Sequence, residues 1–204
     1  MKKSKIICIS VFAGFIITLV FSFGAFAKTC ENIRSDVLRL HVLANSDSEE
    51  DQNLKLLVRD AVLCEGSDIF SGSMNVTNAE KKIAENKDKL IREAERVVME
   101  NGFDYDVDVF VTDEYFSTRS YGEVTLPAGK YTAVKVTIGE SAGHNWWCVM
   151  FPPMCLPAAE GRNEIDLYLD EDEVEVVKSN PEYDVRFKVI EWYESIKDKL
   201  FSQS

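Results

Sequence analysis

From Val37 onward the apolar positions alternate, with Leu38, Leu40, Val42 and Ala44 on one side and Val37, Arg39, His41 and Leu43 on the other, the period of a strand. Asn45, Ser46, Asp47 and Ser48 follow as a turn cluster rich in N-cap side chains. Glu49, Glu50 and Asp51 then fill a first helical turn, where the helix dipole favours carboxylates. Leu54, Leu57, Val58, Ala61 and Val62 recur at helical spacing, and Gly66 predicts the stop. Beyond the polar loop GSDIFSGSMN, Thr77 and Glu80 have the spacing of a capping box. A second amphipathic helix carries Ile83, Leu90, Ile91, Ala94, Val97 and Val98, is interrupted at Asn86 and Lys87, and stops at Asn101-Gly102.

The period returns to two at Val107, Val109 and Val111. YGEVTLPAGKYTAVKVTIG predicts a hairpin turning at Pro127 and Gly129 in type I geometry, its second strand continuing through Val134, Val136 and Ile138. NWWCVMF reads as a short strand cut off by Pro152 and Pro153. EIDLYLDEDEVEVVK alternates around a charged break and predicts a small hairpin. Pro181 opens a final helix whose stripe of Val185, Val189, Trp192, Ile196 and Leu200 is expected to pack on the sheet, a partner groove being the other reading. The class predicted is α+β: an antiparallel-rich sheet packed by amphipathic helices, in a single domain over 28–204.

The N-terminus stands apart. Lys2, Lys3 and Lys5 precede an uncharged run from Ile6 to Ala27 that ends in AFA. This is either a signal peptide cleaved after Ala27 or an uncleaved anchor over 6–27, since the run is long for the first and long enough for the second. In both cases the lysines stay in the cytoplasm and the body is extracytoplasmic.

Without Lys2, Lys3 and Lys5 the formal net charge moves from -12 to -15, because residues 1–27 hold no acid. So acidic a body lacks the clustered cations that nucleic-acid binding and electrostatic adhesion to anionic lipid require. Cys30, Cys64, Cys148 and Cys155 remain in a compartment that permits disulfides. Cys148 and Cys155 flank a Pro-Pro bend and are the expected pair; Cys30 with Cys64 follows by elimination.

No catalytic signature is evident: the chain has two histidines, no H-E-x-x-H, no G-x-S-x-G and no phosphate-binding glycine loop. His41 reads as a hydrogen-bonded structural imidazole. His144 could activate Cys148, but Cys155 should consume that thiol as a disulfide. Asn45, Asp47 and Glu49 alternate as in a calcium loop, yet Glu50 stands where glycine is needed and Leu56 where the final glutamate belongs. No metal, cofactor or small-molecule substrate is therefore expected. What remains is the aromatic-proline segment, in which Trp146, Trp147, Phe151, Pro152 and Pro153 are divided between core and a rigid, partner-facing surface.

Three segments, RLHVLANSDSEEDQNLKLLVRDAV, YGEVTLPAGKYTAVKVTIGE with NWWCVMFPPMC, and VRFKVIEWYE, resemble in that order the stage II sporulation protein R family of endospore-forming bacteria. The resemblance spans nearly all of 34–194. It implies a signalling protein rather than an enzyme, exported from the forespore into the intermembrane space. There such a protein switches on a membrane-embedded aspartic-type protease that processes pro-sigma-E in the mother cell. The family supplies no catalytic residues to carry over. The rival reading is a secreted hydrolase acting on peptidoglycan through an acid and His41 or His144.

Overall fold

A computed structural model describes residues 3–70, 75–152, 154, 168–178 and 181–201. Four strands make the main sheet: β1 (Leu38–Leu43), β2 (Val107–Phe116), β5 (Gly129–Ile138) and β6 (Asn145–Phe151), in the order β2-β5-β1-β6. β1 and β5 are parallel; β2–β5 and β1–β6 are antiparallel. This is the expected mixed class with an antiparallel-rich sheet. A two-stranded ribbon, β3 (Arg119–Tyr121) with β4 (Val124–Leu126), is inserted between β2 and β5. Val124–Leu126 therefore pairs with Arg119–Tyr121 rather than across Pro127, and Gly122 takes the positive φ of the ribbon turn.

Each face of the sheet has its own helices. Leu40, Val42, Val109, Val134, Val136, Cys148 and Met150 meet α2 (Glu49–Phe70), α3 (Val76–Glu85) and α4 (Lys87–Glu100). Phe116, Tyr131, Ala133 and Val149 on the other face meet α1 (Lys3–Ser35), α5 (Glu171–Val177) and α6 (Pro181–Phe201). Alternation along each strand divides its side chains between the two layers.

Several local expectations change. α2 runs through Gly66 to Phe70. A Cβ at Gly66 would collide with the Met150 methyl, so this glycine allows close packing of helix on strand rather than ending the helix. α3 is capped by Asn75, whose Oδ1 accepts from the Asn78 N–H at 2.9 Å, and the interruption at Asn86 separates α3 from α4. Glu171–Val177 is a helix, not a strand. Asp170 and Glu173 form a capping box, and Val176 and Val177 are buried on the second face.

Cys30 and Cys64 are free thiols, because α1 and α2 lie on opposite faces of the sheet; Cys30 is buried and Cys64 exposed. α1 continues unbroken through the AFA segment, with Phe26 buried against Phe187 and Tyr183. Among the described side chains of α6 the buried ones are Phe187, Ile190 and Glu194, so the stripe Val185, Val189, Trp192 and Ile196 faces away from the sheet; the Leu200 side chain lies outside the described residues. Glu194 can be buried because Arg34 Nη2 lies 3.3 Å from its Oε1.

Candidate functional site

β6 is an edge strand, and its aromatic residues divide by register. Trp146 stands opposite Val42 and Trp147 opposite His41, so the two indoles leave the sheet on opposite faces. Trp146 is 37% exposed, and the Arg59 guanidinium from α2 lies 4.5 Å from its ring centroid. Trp147 is half-buried, stacked on the His41 imidazole at 3.7 Å and edge-on to Phe116 at 4.8 Å. Phe151 is buried, in edge contact with Phe70 and Tyr168, and Pro152 is buried as well. Neither of these two is displayed; they anchor the strand from beneath. Cys148 is buried in β6 and disulfide-bonded, while Cys155 and Pro153 lie outside the described residues.

Beside Trp147 the second face of the sheet carries a polar network. His41 Nδ1 is 2.5 Å from Glu114 Oε2, and its Nε2 is 2.9 Å from Asn145 Oδ1. Glu114 Oε1 accepts from Lys135 Nζ at 2.5 Å, and that ammonium lies 5.9 Å from the Phe110 ring. Burial alone would raise the Glu114 carboxyl, but hydrogen bonds from Lys135 and His41 outweigh it and hold the group below the usual carboxylate range. Both His41 nitrogens are engaged and one ring face is covered, so the imidazole is a fixed structural element here.

Deeper on the same face Arg39 is fully buried. Its Nε donates to the Cys148 carbonyl at 3.1 Å and its Nη2 to Tyr121 Oη at 2.6 Å. The rings of Phe116, Tyr131 and Tyr121 lie 4.3, 5.0 and 5.4 Å from the guanidinium carbon. Burial draws this guanidinium below its ordinary pKa, an effect opposed by the neighbouring tyrosines. Arg39 thus braces the β6 backbone at Cys148 from the adjacent strand.

The turn after β1 holds the loop that enters β6. Asp51 accepts from Asn45 Nδ2 at 2.8 Å and Ser46 Oγ at 2.5 Å, and Tyr105 also bonds to it. Burial raises the Asp51 carboxyl, yet these hydrogen bonds together leave it lowered. Asn45 Oδ1 accepts from the Glu140 N–H, and Asp47 Oδ1 accepts from the His144 N–H and lies 2.5 Å from its Nδ1. Lys55 Nζ donates to the His144 carbonyl at 2.9 Å. A Cβ at Gly143 would meet the Ser46 carbonyl, which is why the loop can approach so closely. Asn45 and Asp47 are thereby committed to loop contacts. Among the described residues no group of three or more His, Cys, Asp or Glu is placed to hold a metal.

His144 is exposed and paired with Asp47, whereas Cys148 lies buried four residues further along β6. The alternative thiol–imidazole couple is therefore not brought together, and Cys148 is disulfide-bonded instead. Arg59, Glu114, Lys135 and Phe110 were not legible as part of this region, since each comes from another element and only the strand register brings it near. A cleft of about 390 Å³ elsewhere, beneath α1 and α6, is lined by Arg34, Lys130, Glu194 and Lys197, with Glu194 ion-paired to both Arg34 and Lys197. The β6 end thus presents one exposed indole, Trp146, on a strand whose backbone and entry loop are held by buried polar side chains, the kind of anchor that recognition surfaces use.

The profile of Stage II sporulation protein R (spore_II_R) matches residues 34–160, which include the β1 turn, the inserted ribbon and β6. Over 162 residues the chain is 35% identical to stage II sporulation protein R of Bacillus subtilis (strain 168), covering 76% of this chain and 71% of that protein. No solved structure matches it. The chain belongs to the stage II sporulation protein R family and has a role in sporulation.

Proposed function

We propose that this protein is the exported intercellular signal that activates a membrane-embedded aspartic-type protease, which then processes pro-sigma-E in the mother cell. Family membership carries the reading. The lysines before a long apolar helix support it, because that order favours keeping the N-terminus in the cytoplasm and the body across the membrane; in this reading the membrane is the forespore's and the body faces the intermembrane space. The contact surface in this reading is the β6 end, with Trp146 as the displayed side chain, the largely covered Arg59 held against its ring and paired with Asp60, and Trp147, Phe151 and Pro152 behind them. Cys155 is the proposed partner of Cys148, tying the segment after Pro153 back to the strand.

The test is co-expression in a host that does not sporulate, with the cognate protease and pro-sigma-E. Export-competent protein should produce processed sigma-E, and a form lacking the export segment should not. Intact, correctly located proteins without cleavage would remove direct activation.

A further inference from the structure

Going beyond signalling, we propose that α6 is an interfacial helix whose outward face seats the body on the lipid bilayer that α1 crosses. α6 carries apolar residues on two opposite sides. Phe187 and Ile190 point inward, while Val185, Val189, Trp192, Tyr193 and Ile196 form a stripe at helical spacing facing outward. Val185 is 72% exposed, Trp192 68% and Tyr193 53%. So large an apolar stripe with its indole and phenol fits the membrane–water boundary, where Trp and Tyr are enriched. Arg186 and Lys188 flank it on either side, Arg186 lying over the Phe26 and Tyr183 rings and Lys188 paired with Glu191 at 3.0 Å, so it is the apolar stripe and not a free cation that carries the lipid contact.

The depth of α6 follows from α1. The uncharged run Ile6–Ala27 is 22 residues, about 33 Å as a helix, close to the roughly 30 Å hydrocarbon thickness. Its continuously exposed part, Ile6–Ser22, would reach only about 26 Å. Spanning therefore requires the turn containing Phe23 and Phe26 to lie at the boundary, and those residues already pack on the body. Tyr193 lines one apolar cleft with Leu19, Val20, Phe23, Gly24 and Ala27, which places this side of α6 at the same level. No flexible linker intervenes, since α1 is continuous from Lys3 to Ser35 and Arg34 bonds Glu194 of α6.

The experiment uses the full chain in phosphatidylcholine vesicles whose acyl chains are brominated either near the headgroup or near the chain end, with tryptophan fluorescence as the readout. Shallow bromines should quench part of the emission more strongly than deep ones. That quenched component should be lost in Trp192→Phe, an exposed substitution whose fold is checked by circular dichroism. Identical quenching in wild type and W192F would overturn the proposal. So would an unquenched Trp192 in a self-associated protein, which would assign the stripe to a second copy, or an unquenched Trp192 open to aqueous acrylamide, which would leave it for a protein partner. Val185→Ser with Val189→Ser provides a second variant, expected to weaken the shallow quenching without altering Trp146 or Trp147.

Discussion

Glu114 joins three strands through two hydrogen bonds, one from Lys135 on β5 and one with His41 on β1. Its carboxyl is lowered in the folded protein, so its contribution is fully present above the unfolded carboxylate value, about 4.3 for glutamate, and is lost as pH falls through the lowered folded value. Urea unfolding across that acid range should therefore show wild type losing stability more steeply than Glu114→Gln, with the two curves converging at the acid end. Parallel curves would mean that the carboxylate contributes nothing. Asp51 is the other residue on which a region depends. It is buried and accepts from Asn45, Ser46 and Tyr105, so Asp51→Ala leaves several donors unpaired at once. A loss of about 2–4 kcal/mol is expected, read from the urea midpoint, along with faster amide exchange at Glu140 and His144.

At the scale of elements, what could be read in advance was what is encoded locally. The β1–turn–α2 unit is legible because alternation, cap residues and helical spacing follow one another within 38–62. α6 was legible as a helix, but its buried side was not. The stronger apolar stripe faces outward, and the inward side includes Glu194, whose burial depends on Arg34, 160 positions away. α5 illustrates the opposite failure. Val174, Val176 and Val177 suggested a strand, while the capping box at Asp170 and Glu173 and packing beside α1 make a helix. Within the candidate site the aromatic segment was visible, but its division into displayed Trp146, stacked Trp147 and buried Phe151 depends on strand register and a bulge at Leu38/Arg39. The placement of cysteines on opposite faces gives a direct check. In the folded, detergent-solubilised chain a hydrophilic maleimide should label Cys64 rapidly and Cys30 only on unfolding. Equal labelling of the two, or protection of both until reduction, would contradict the layer arrangement.

For the whole molecule, the layers assign separate tasks to separate regions. In the arrangement proposed above, the side bearing α1 and α6 meets the lipid and the β6 edge is left for a neighbouring protein; that edge is braced by Arg39 from one side and by the Asp51-centred turn from its entry loop. A helix running unbroken from the apolar segment into the body would hold that edge in a fixed orientation above the bilayer. Signalling through this edge is the central claim, and it is local enough to be examined at one side chain. A photocrosslinking amino acid placed at Trp146, in cells that also contain the cognate protease and pro-sigma-E, tests it most directly. The account predicts an adduct with the protease that is absent when the crosslinker is moved to Glu85 at the end of α3, with pro-sigma-E still processed in both cases. Full processing with no adduct at 146, or adducts of equal yield at both positions, would contradict it.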